Sequence, residues 1–292
     1  LETHGTWGYP GADKVGYAEA LPGNHPEWRD AVVDRGLNML ERDKNHASIL
    51  IWSCGNESFG GKDLFDLSET LRHRDPSRVI HYEGITWDQR YPGTSDVYSR
   101  MYCKPAEIEQ YLQNDPQKPF INCEYIHAMG NSLGGMHLYS ALEDKYPMYQ
   151  GGFIWDWVDQ GLRIKAPNGS ERIAYGGDFG ERPTDYNFIG NGIVLADRSL
   201  TPKMQEVKFL FQPANLQPDE TGVTIRNRRL FESLDDLLLA WSTELNGEVM
   251  DSGLATLPHI APDETAHVEL PLEIPEDEGD VTLTCRLVAK TD

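Results

Sequence analysis

The chain has 292 residues, enough for one large or two medium domains, and 39% of them are hydrophobic, a globular composition. Its 26 basic and 47 acidic side chains leave a net charge of −21, which argues against nucleic acid and anionic membrane as partners. No apolar run approaches the ~18 residues that a membrane-spanning helix needs.

Four cysteines, Cys54, Cys103, Cys123 and Cys285, lie far apart and form no CxxC motif. They read as free thiols of a reducing compartment, so a cytoplasmic location is expected. The first residues, Leu1-Glu2-Thr3-His4, carry neither an initiator Met nor a signal-peptide pattern, and the chain reads as a fragment. In an extended segment residues 2 and 4 point the same way. Glu2 and His4 are therefore either placed to share a cation or are two polar residues at a frayed end.

Residues 5–25 are rich in Gly, Pro and aromatics and read as loop. A helix is predicted over residues 26–42, with Asn24 or His25 as its cap, Pro26 in its first turn, and Trp28, Val32, Val33, Leu37 and Leu40 as its apolar face. Residues 47–54 form a continuous apolar run, expected as a strand buried on both faces, and it ends at Gly55-Asn56-Glu57-Ser58. A helix over 62–74 stops at Asp75-Pro76, and a strand follows over 79–83. Residues 84–95 read as loop, 96–102 as strand and 105–113 as helix. The strand 120–124 delivers Glu124 to a polar, Gly-rich turn, after which a helix over 133–145 and a strand over 152–157 are predicted. Residues 160–200 read as a long loop region. From Val207 the texture changes to short β-rich runs, 223–227, 237–245, 266–270 and 281–289, with a turn at Asn246-Gly247.

This order predicts a parallel α/β sheet, open or part of a barrel, in a domain over 1–200, and an antiparallel β-sandwich over 201–292. No GxGxxG or GxxxxGK[ST] motif follows a strand, which counts against a nucleotide-binding sheet. In a parallel sheet the chemistry sits at the C-terminal strand ends. Glu57 and Glu124 would then converge on one face. A single strand-end carboxylate could equally cap the following helix. A pair suits glycoside hydrolysis, in which one carboxyl is protonated and the other ionised, or metal-assisted hydrolysis with Glu2, His4 and Glu57 as ligands. Spacing leaves both open.

Gly55-Asn56-Glu57-Ser58 and Cys123-Glu124-Tyr125-Ile126-His127-Ala128-Met129-Gly130-Asn131-Ser132 resemble the two active-site signatures of glycoside hydrolase family 2 β-galactosidases. Asp43-Lys44-Asn45-His46, the stretch from Gly151 to Gln160 and Tyr175-Gly176-Gly177-Asp178-Phe179-Gly180 resemble the same family, whereas Thr184-Asp185-Tyr186-Asn187 departs from it. The similarity covers essentially the whole chain and is strongest through residue 198.

The resemblance implies a (β/α)8 TIM barrel, of which the chain would hold strands four to eight, followed by an antiparallel Ig-like β-sandwich. It implies a retaining β-galactosidase acting on lactose-like β-galactosides, with Glu57 as acid/base and Glu124 as nucleophile. Asn56, Tyr102, His127, Trp155 and Asn191 would contact the sugar, although Tyr102 and Trp155 are also ordinary core residue types. Glu2, His4 and Glu57 would hold Mg²⁺ or Mn²⁺, and Phe188 and Asn191 would hold Na⁺. The full enzyme would be a homo-oligomer. The barrel's first three strands and the flanking domains would come from the remainder of the parent chain or a complementary subunit, and the polypeptide alone would be inactive. The alternatives are a family 2 glycosidase of other sugar specificity, an inactive complementing fragment, or a metal-dependent hydrolase.

Overall fold

A computed structural model of the chain describes residues 21–184, 186–272 and 279–290. The chain divides into two units, Leu1–Glu206 and Val207–Asp292.

The first unit is built on parallel strands with helices between them. Helix α1 (Pro26–Asp43) starts on Pro26, whose fixed φ suits a first turn. Its cap position is His25, with no side-chain bond to the helix. Asn24 instead serves the next helix, because its Oδ1 accepts the Lys62 N–H at 2.6 Å. Helix α2 (Lys62–Arg74) buries Leu64, Leu67 and Leu71, spaced three and four apart on one face. Each such burial is worth about 1.5–3 kcal/mol relative to exposure. The two helices pack so closely at Gly36 that a Cβ there would lie 2.2 Å from Leu67 Cδ1. With Val32, Leu40, Trp52, Cys54, Ile80 and Tyr82 they form one core. Trp28, expected on the apolar face of α1, is 48% exposed.

Strand β1 (Ile51–Ser53) pairs in parallel with β2 (Val79–His81). It is shorter than the apolar run that predicts it, and it is not buried on both faces: Leu50 is 73% exposed and Ser53 is exposed. Strand β3 (Tyr98–Met101), helix α3 (Pro105–Gln113), strand β4 (Phe120–Tyr125), helix α4 (His137–Lys145) and strand β5 (Tyr149–Ile154) follow. Strands β3, β4 and β5 form a second parallel sheet, in that order. Asp96 stitches the sheets together: its N–H donates to Ile80 O at 2.8 Å, and its Oδ2 accepts Ile80 N–H at 2.8 Å. An aromatic cluster anchors the second sheet, with Tyr98 stacked on Tyr111 at 4.4 Å and Phe120 against both.

The five strands thus follow one another in chain order as an open arc of two parallel sheets, β1-β2 and β3-β4-β5, linked at Asp96. Among the described residues this arc does not close into a barrel, so the expected α/β character is present and closure is not. Residues 160–200, read as loop, hold a hairpin: β6 (Leu162–Lys165) pairs antiparallel with β7 (Glu171–Ala174). The helix expected from residue 133 begins at His137.

Helix α5 (Lys203–Leu210) carries the boundary between the units. The second unit has two three-stranded antiparallel sheets. One orders β12 (Thr265–Glu269), β9 (Gly222–Asn227) and β8 (Ala214–Asp219). The other orders β11 (Glu248–Thr256), β10 (Leu237–Leu245) and β13 (Val281–Ala289). Every second residue at the start of β10, Leu237, Leu239, Trp241 and Thr243, is buried, as a strand with one face on a core requires. Their neighbours in that core are Val223, Ile225, Leu234 and Val268. Strands β8 and β11 are additions to those predicted.

Candidate active site

Glu124 is the fifth residue of β4, whose inner stretch Phe120-Ile121-Asn122 is buried. Its Oε2 accepts the Tyr102 hydroxyl at 2.8 Å. Tyr102 reaches it through local irregularity. The β3–β4 register slips between Arg100 and Met101, and Tyr102 itself has a φ of 51°. Such a slip re-aims the side chain that follows it. Three bonds hold the turn: Tyr102 N–H donates to Glu124 O at 2.7 Å, and the Asn122 amide brackets Cys103, accepting its N–H at 3.3 Å and donating to its carbonyl at 3.2 Å. Burial raises the Tyr102 phenol above its usual range, and the hydrogen bond and charge of Glu124 add to this. The hydroxyl therefore stays protonated and donates.

Glu57 follows β1 in a turn clamped by the residues after β2. Its φ is 51° and that of Phe59 is 56°. Its N–H donates to Glu83 Oε1 at 2.6 Å, and the Ser58 N–H donates to Tyr82 Oη at 3.1 Å. Glu83 is only 3% exposed. Burial pushes its carboxyl up to about 7, against the opposing pull of the Glu57 N–H.

Glu57 and Glu124 line one cavity of about 730 Å³, together with Asn56, Met101, Tyr102, His127, Trp155, Gln160 and Phe188. That volume suits a small organic ligand. His127 stands edge-on to Tyr102 at 6.0 Å and tilted to Phe188 at 5.5 Å. Its Nε2 is buried without a hydrogen-bond partner among the described residues, an unmet polar group on the cavity wall. Trp155 follows β5. Its N–H donates to Tyr125 O at 3.1 Å, and its carbonyl accepts Ala128 N–H at 2.7 Å. Its indole N–H donates to the Asn191 side-chain oxygen at 3.3 Å, while the Asn191 nitrogen donates to Ile189 O at 3.1 Å. Asn191, expected as a ligand of sugar and sodium, is buried and holds the tryptophan; one lone pair of its oxygen is left for a further contact.

The arrangement has two carboxylates, a fixed phenol donor, an imidazole and an indole around one cavity. Left-handed backbone at Glu57, Phe59, Tyr102 and Ile126 clusters at the same place. Non-glycine residues hold that conformation at a cost of about 1–3 kcal/mol, and such strain gathers at functional sites. The sequence reading missed Glu83, Asn122 and Gln160. Only Asn122 carries a sequence signal, a polar amide inside an apolar strand. Of the expected metal ligands, Glu2 and His4 lie outside the described residues. Among the described residues no three His, Cys, Asp or Glu side chains gather to hold a metal ion.

Residues 1–216 match the family described as "Glycosyl hydrolases family 2, TIM barrel domain", and residues 223–292 match "Beta-galactosidase, domain 4". The chain belongs to glycoside hydrolase family 2. Within that family it is 51% identical over 290 residues to a β-galactosidase of Clostridium acetobutylicum, an alignment that takes in 98% of the chain and 32% of the relative. It is 56% identical over 259 residues to a β-galactosidase of Halalkalibacterium halodurans, covering 86% of the chain and 25% of the relative. A β-galactosidase large subunit of Leuconostoc lactis is 50% identical over 213 residues, covering 72% of the chain and 34% of the subunit. The chain therefore spans a quarter to a third of the length of these relatives.

Proposed function

We propose that the full-length protein is a retaining β-galactosidase that hydrolyses terminal β-D-galactosides such as lactose, and that this chain supplies its two catalytic carboxylates. The observation that carries the reading is the single cavity lined by Glu57 and Glu124 at the ends of parallel strands, with Tyr102, His127 and Trp155 around them. The resemblance of both glutamate motifs to β-galactosidases, and relatives of that name at 51% and 56% identity, support the sugar. On this reading the arc closes into a (β/α)8 barrel with segments from the remainder of the protein or a complementary subunit; the Leuconostoc relative is named a large subunit.

In the first step a Glu124 oxygen attacks the anomeric carbon as the glycosidic C–O bond breaks, and Glu57 gives its proton to the departing oxygen. In the second, Glu57 takes a proton from water, whose oxygen attacks the same carbon and releases Glu124. The Tyr102 hydroxyl orients Glu124, the His127 Nε2, without a partner among the described residues, is available to a sugar hydroxyl, and Trp155 offers an apolar face. Mg²⁺ or Mn²⁺ held by Glu2, His4 and Glu57 would favour the ionised form of the acid, and Na⁺ would take the Phe188 carbonyl and Asn191 oxygen. The four free cysteines fit a cytoplasmic setting.

Glu124→Gln in the full-length protein tests the reading. Turnover of an aryl β-galactoside should fall at least about 10³-fold, as loss of a covalent nucleophile does. Covalent trapping by a 2-fluoro-galactoside should vanish. Retained turnover that chelation abolishes would replace this reading by metal-dependent hydrolysis, and a panel of glucoside, mannoside and glucuronide checks the sugar.

A further inference from the structure

Three successive residues after β2 hold three successive residues after β1. Tyr82 Oη accepts the Ser58 N–H at 3.1 Å, and Glu83 Oε1 accepts the Glu57 N–H at 2.6 Å. Gly84 lets Phe59 O approach to 1.8 Å from where a Cβ would stand. The held turn is unfavourable by itself, since Glu57 and Phe59 both have positive φ. A carboxylate acceptor makes a bond roughly twice as strong as a neutral one. Glu83 is also costly to bury. It is 3% exposed and, among the described residues, makes no ion pair and leaves Oε2 with no hydrogen-bond partner. A buried carboxyl that serves only packing would be better replaced by an apolar side chain. Besides the adjacent backbone N–H groups of Glu83 and Gly84, its carboxyl accepts from the backbone of Glu57, the bond that reaches across to the other turn.

We propose that Glu83 is a positioning residue: by accepting the Glu57 N–H it locks the left-handed turn that aims the Glu57 carboxyl into the cavity. The proposal rests on the reading of Glu57 as acid/base. Glu83 is not among the residues lining the cavity that Glu57 and Glu124 share, although it borders the neighbouring one with Asn56 and Glu124, and on this proposal it acts through Glu57. Misplacing a reacting group by about 1 Å costs on the order of 10²-fold in rate. The cost should fall on protonation of the leaving group and spare substrates whose leaving group departs without a proton.

The experiment uses the full-length protein and compares kcat/KM, which reports cleavage of the glycosidic bond, for 2,4-dinitrophenyl β-galactoside and for lactose. Glu83→Met removes the acceptor and should lower kcat/KM for lactose about 10²-fold, with less than about threefold change for the dinitrophenyl substrate. Glu83→Gln keeps an oxygen for the Glu57 N–H and should recover most of the lactose activity, leaving a selective deficit of about three- to tenfold. If Glu83→Met does not fold, Glu83→Gln decides by that selective deficit. Equal losses on both substrates, or none on either, overturn the proposal. Glu57→Gln is measured alongside. If it is leaving-group selective and the Glu83 variants are not, Glu83 alone is excluded; if it is not selective, the acid/base role of Glu57 falls, and the proposal with it.

Discussion

The Tyr102 hydroxyl donates to Glu124 Oε2 at 2.8 Å, and the same two residues are tied again through the Tyr102 N–H and Glu124 O. This doubled link ties the phenol to the strand that carries the proposed nucleophile. Hydrogen bonds to charged groups are worth about 1.5–3 kcal/mol, so Tyr102→Phe should lower kcat by about 10- to 150-fold. A nucleophile acts on every substrate, so on the proposed role of Glu124 the loss should be similar for good and poor leaving groups, the opposite of the selectivity expected at Glu83. Steady-state kinetics of the full-length protein with both classes check this, and an unchanged kcat would remove Tyr102 from the chemistry. At this scale the sequence was most legible where chemistry and position coincide. Glu57 and Glu124 stand at the ends of apolar runs and at motifs, and both line the cavity. Glu83 was illegible because its importance lies in which backbone N–H it meets, 26 residues away in the chain.

Elements were legible where burial is one-sided or complete. Strand β4 and helices α2 and α3 follow apolar patterns and lie where those patterns predict. Strand β11 was not legible, because its residues are exposed over nearly its whole length and alternate only weakly at its end. It exists because the Asn246-Gly247 turn folds it back along β10. The β6–β7 hairpin was hidden for the same reason, although its Pro167-Asn168-Gly169 turn was plain. Where elements meet, Asp75 after α2 is the joint. It accepts the Trp52 indole N–H at 2.9 Å, the Ser77 hydroxyl at 2.5 Å and the Arg78 guanidinium at 2.5 Å. Arg78 also donates to Ile49 O at 2.8 Å and Lys44 O at 2.8 Å, binding the α1–β1 connection to the same point. The Ser77, Trp52 and Arg78 bonds hold the Asp75 carboxyl well below the usual carboxylate range. A depressed carboxyl contributes its stability above the unfolded value, about 3.9 for Asp, and loses it as pH falls from there through the folded value. Asp75→Asn should therefore cost about 1.5–3 kcal/mol at pH 7. The gap to the wild type should narrow steadily below about pH 4. Urea unfolding of the full-length protein across pH, followed by tryptophan fluorescence, checks both the size and the direction.

For the whole molecule the decisive feature is the arc of five parallel strands. Strand β1 pairs with β2 alone and β5 with β4 alone among the described strands. Parallel sheets are covered on both faces, and a barrel interior is filled by layers of side chains. Here a cavity of about 320 Å³ remains among the strands, lined by Ile51, His81, Ile121, Cys123 and Phe153 and bordered by Glu83 and Glu124, and Phe153 is 64% exposed. Leu50 and Trp157, at 73% and 57% exposed, add further apolar surface. The sequence made the parallel character plain through its alternation of apolar runs and helices. It could not display closure, since closure is a relation between the first and last strands of a ring and the relatives are three to four times longer than the span matched. An unfilled interior and the unpaired outer edges of β1 and β5 predict the behaviour of the 292-residue polypeptide on its own. It should bind an apolar dye such as anilinonaphthalene sulfonate and give no turnover of an aryl β-galactoside. Co-expression with the remaining family 2 segments should suppress the dye signal and restore turnover together, because the same strands that fill the interior complete the cavity around Glu57 and Glu124. Turnover by the isolated polypeptide, with cooperative unfolding and no dye binding, would instead make the arc a self-sufficient catalytic unit.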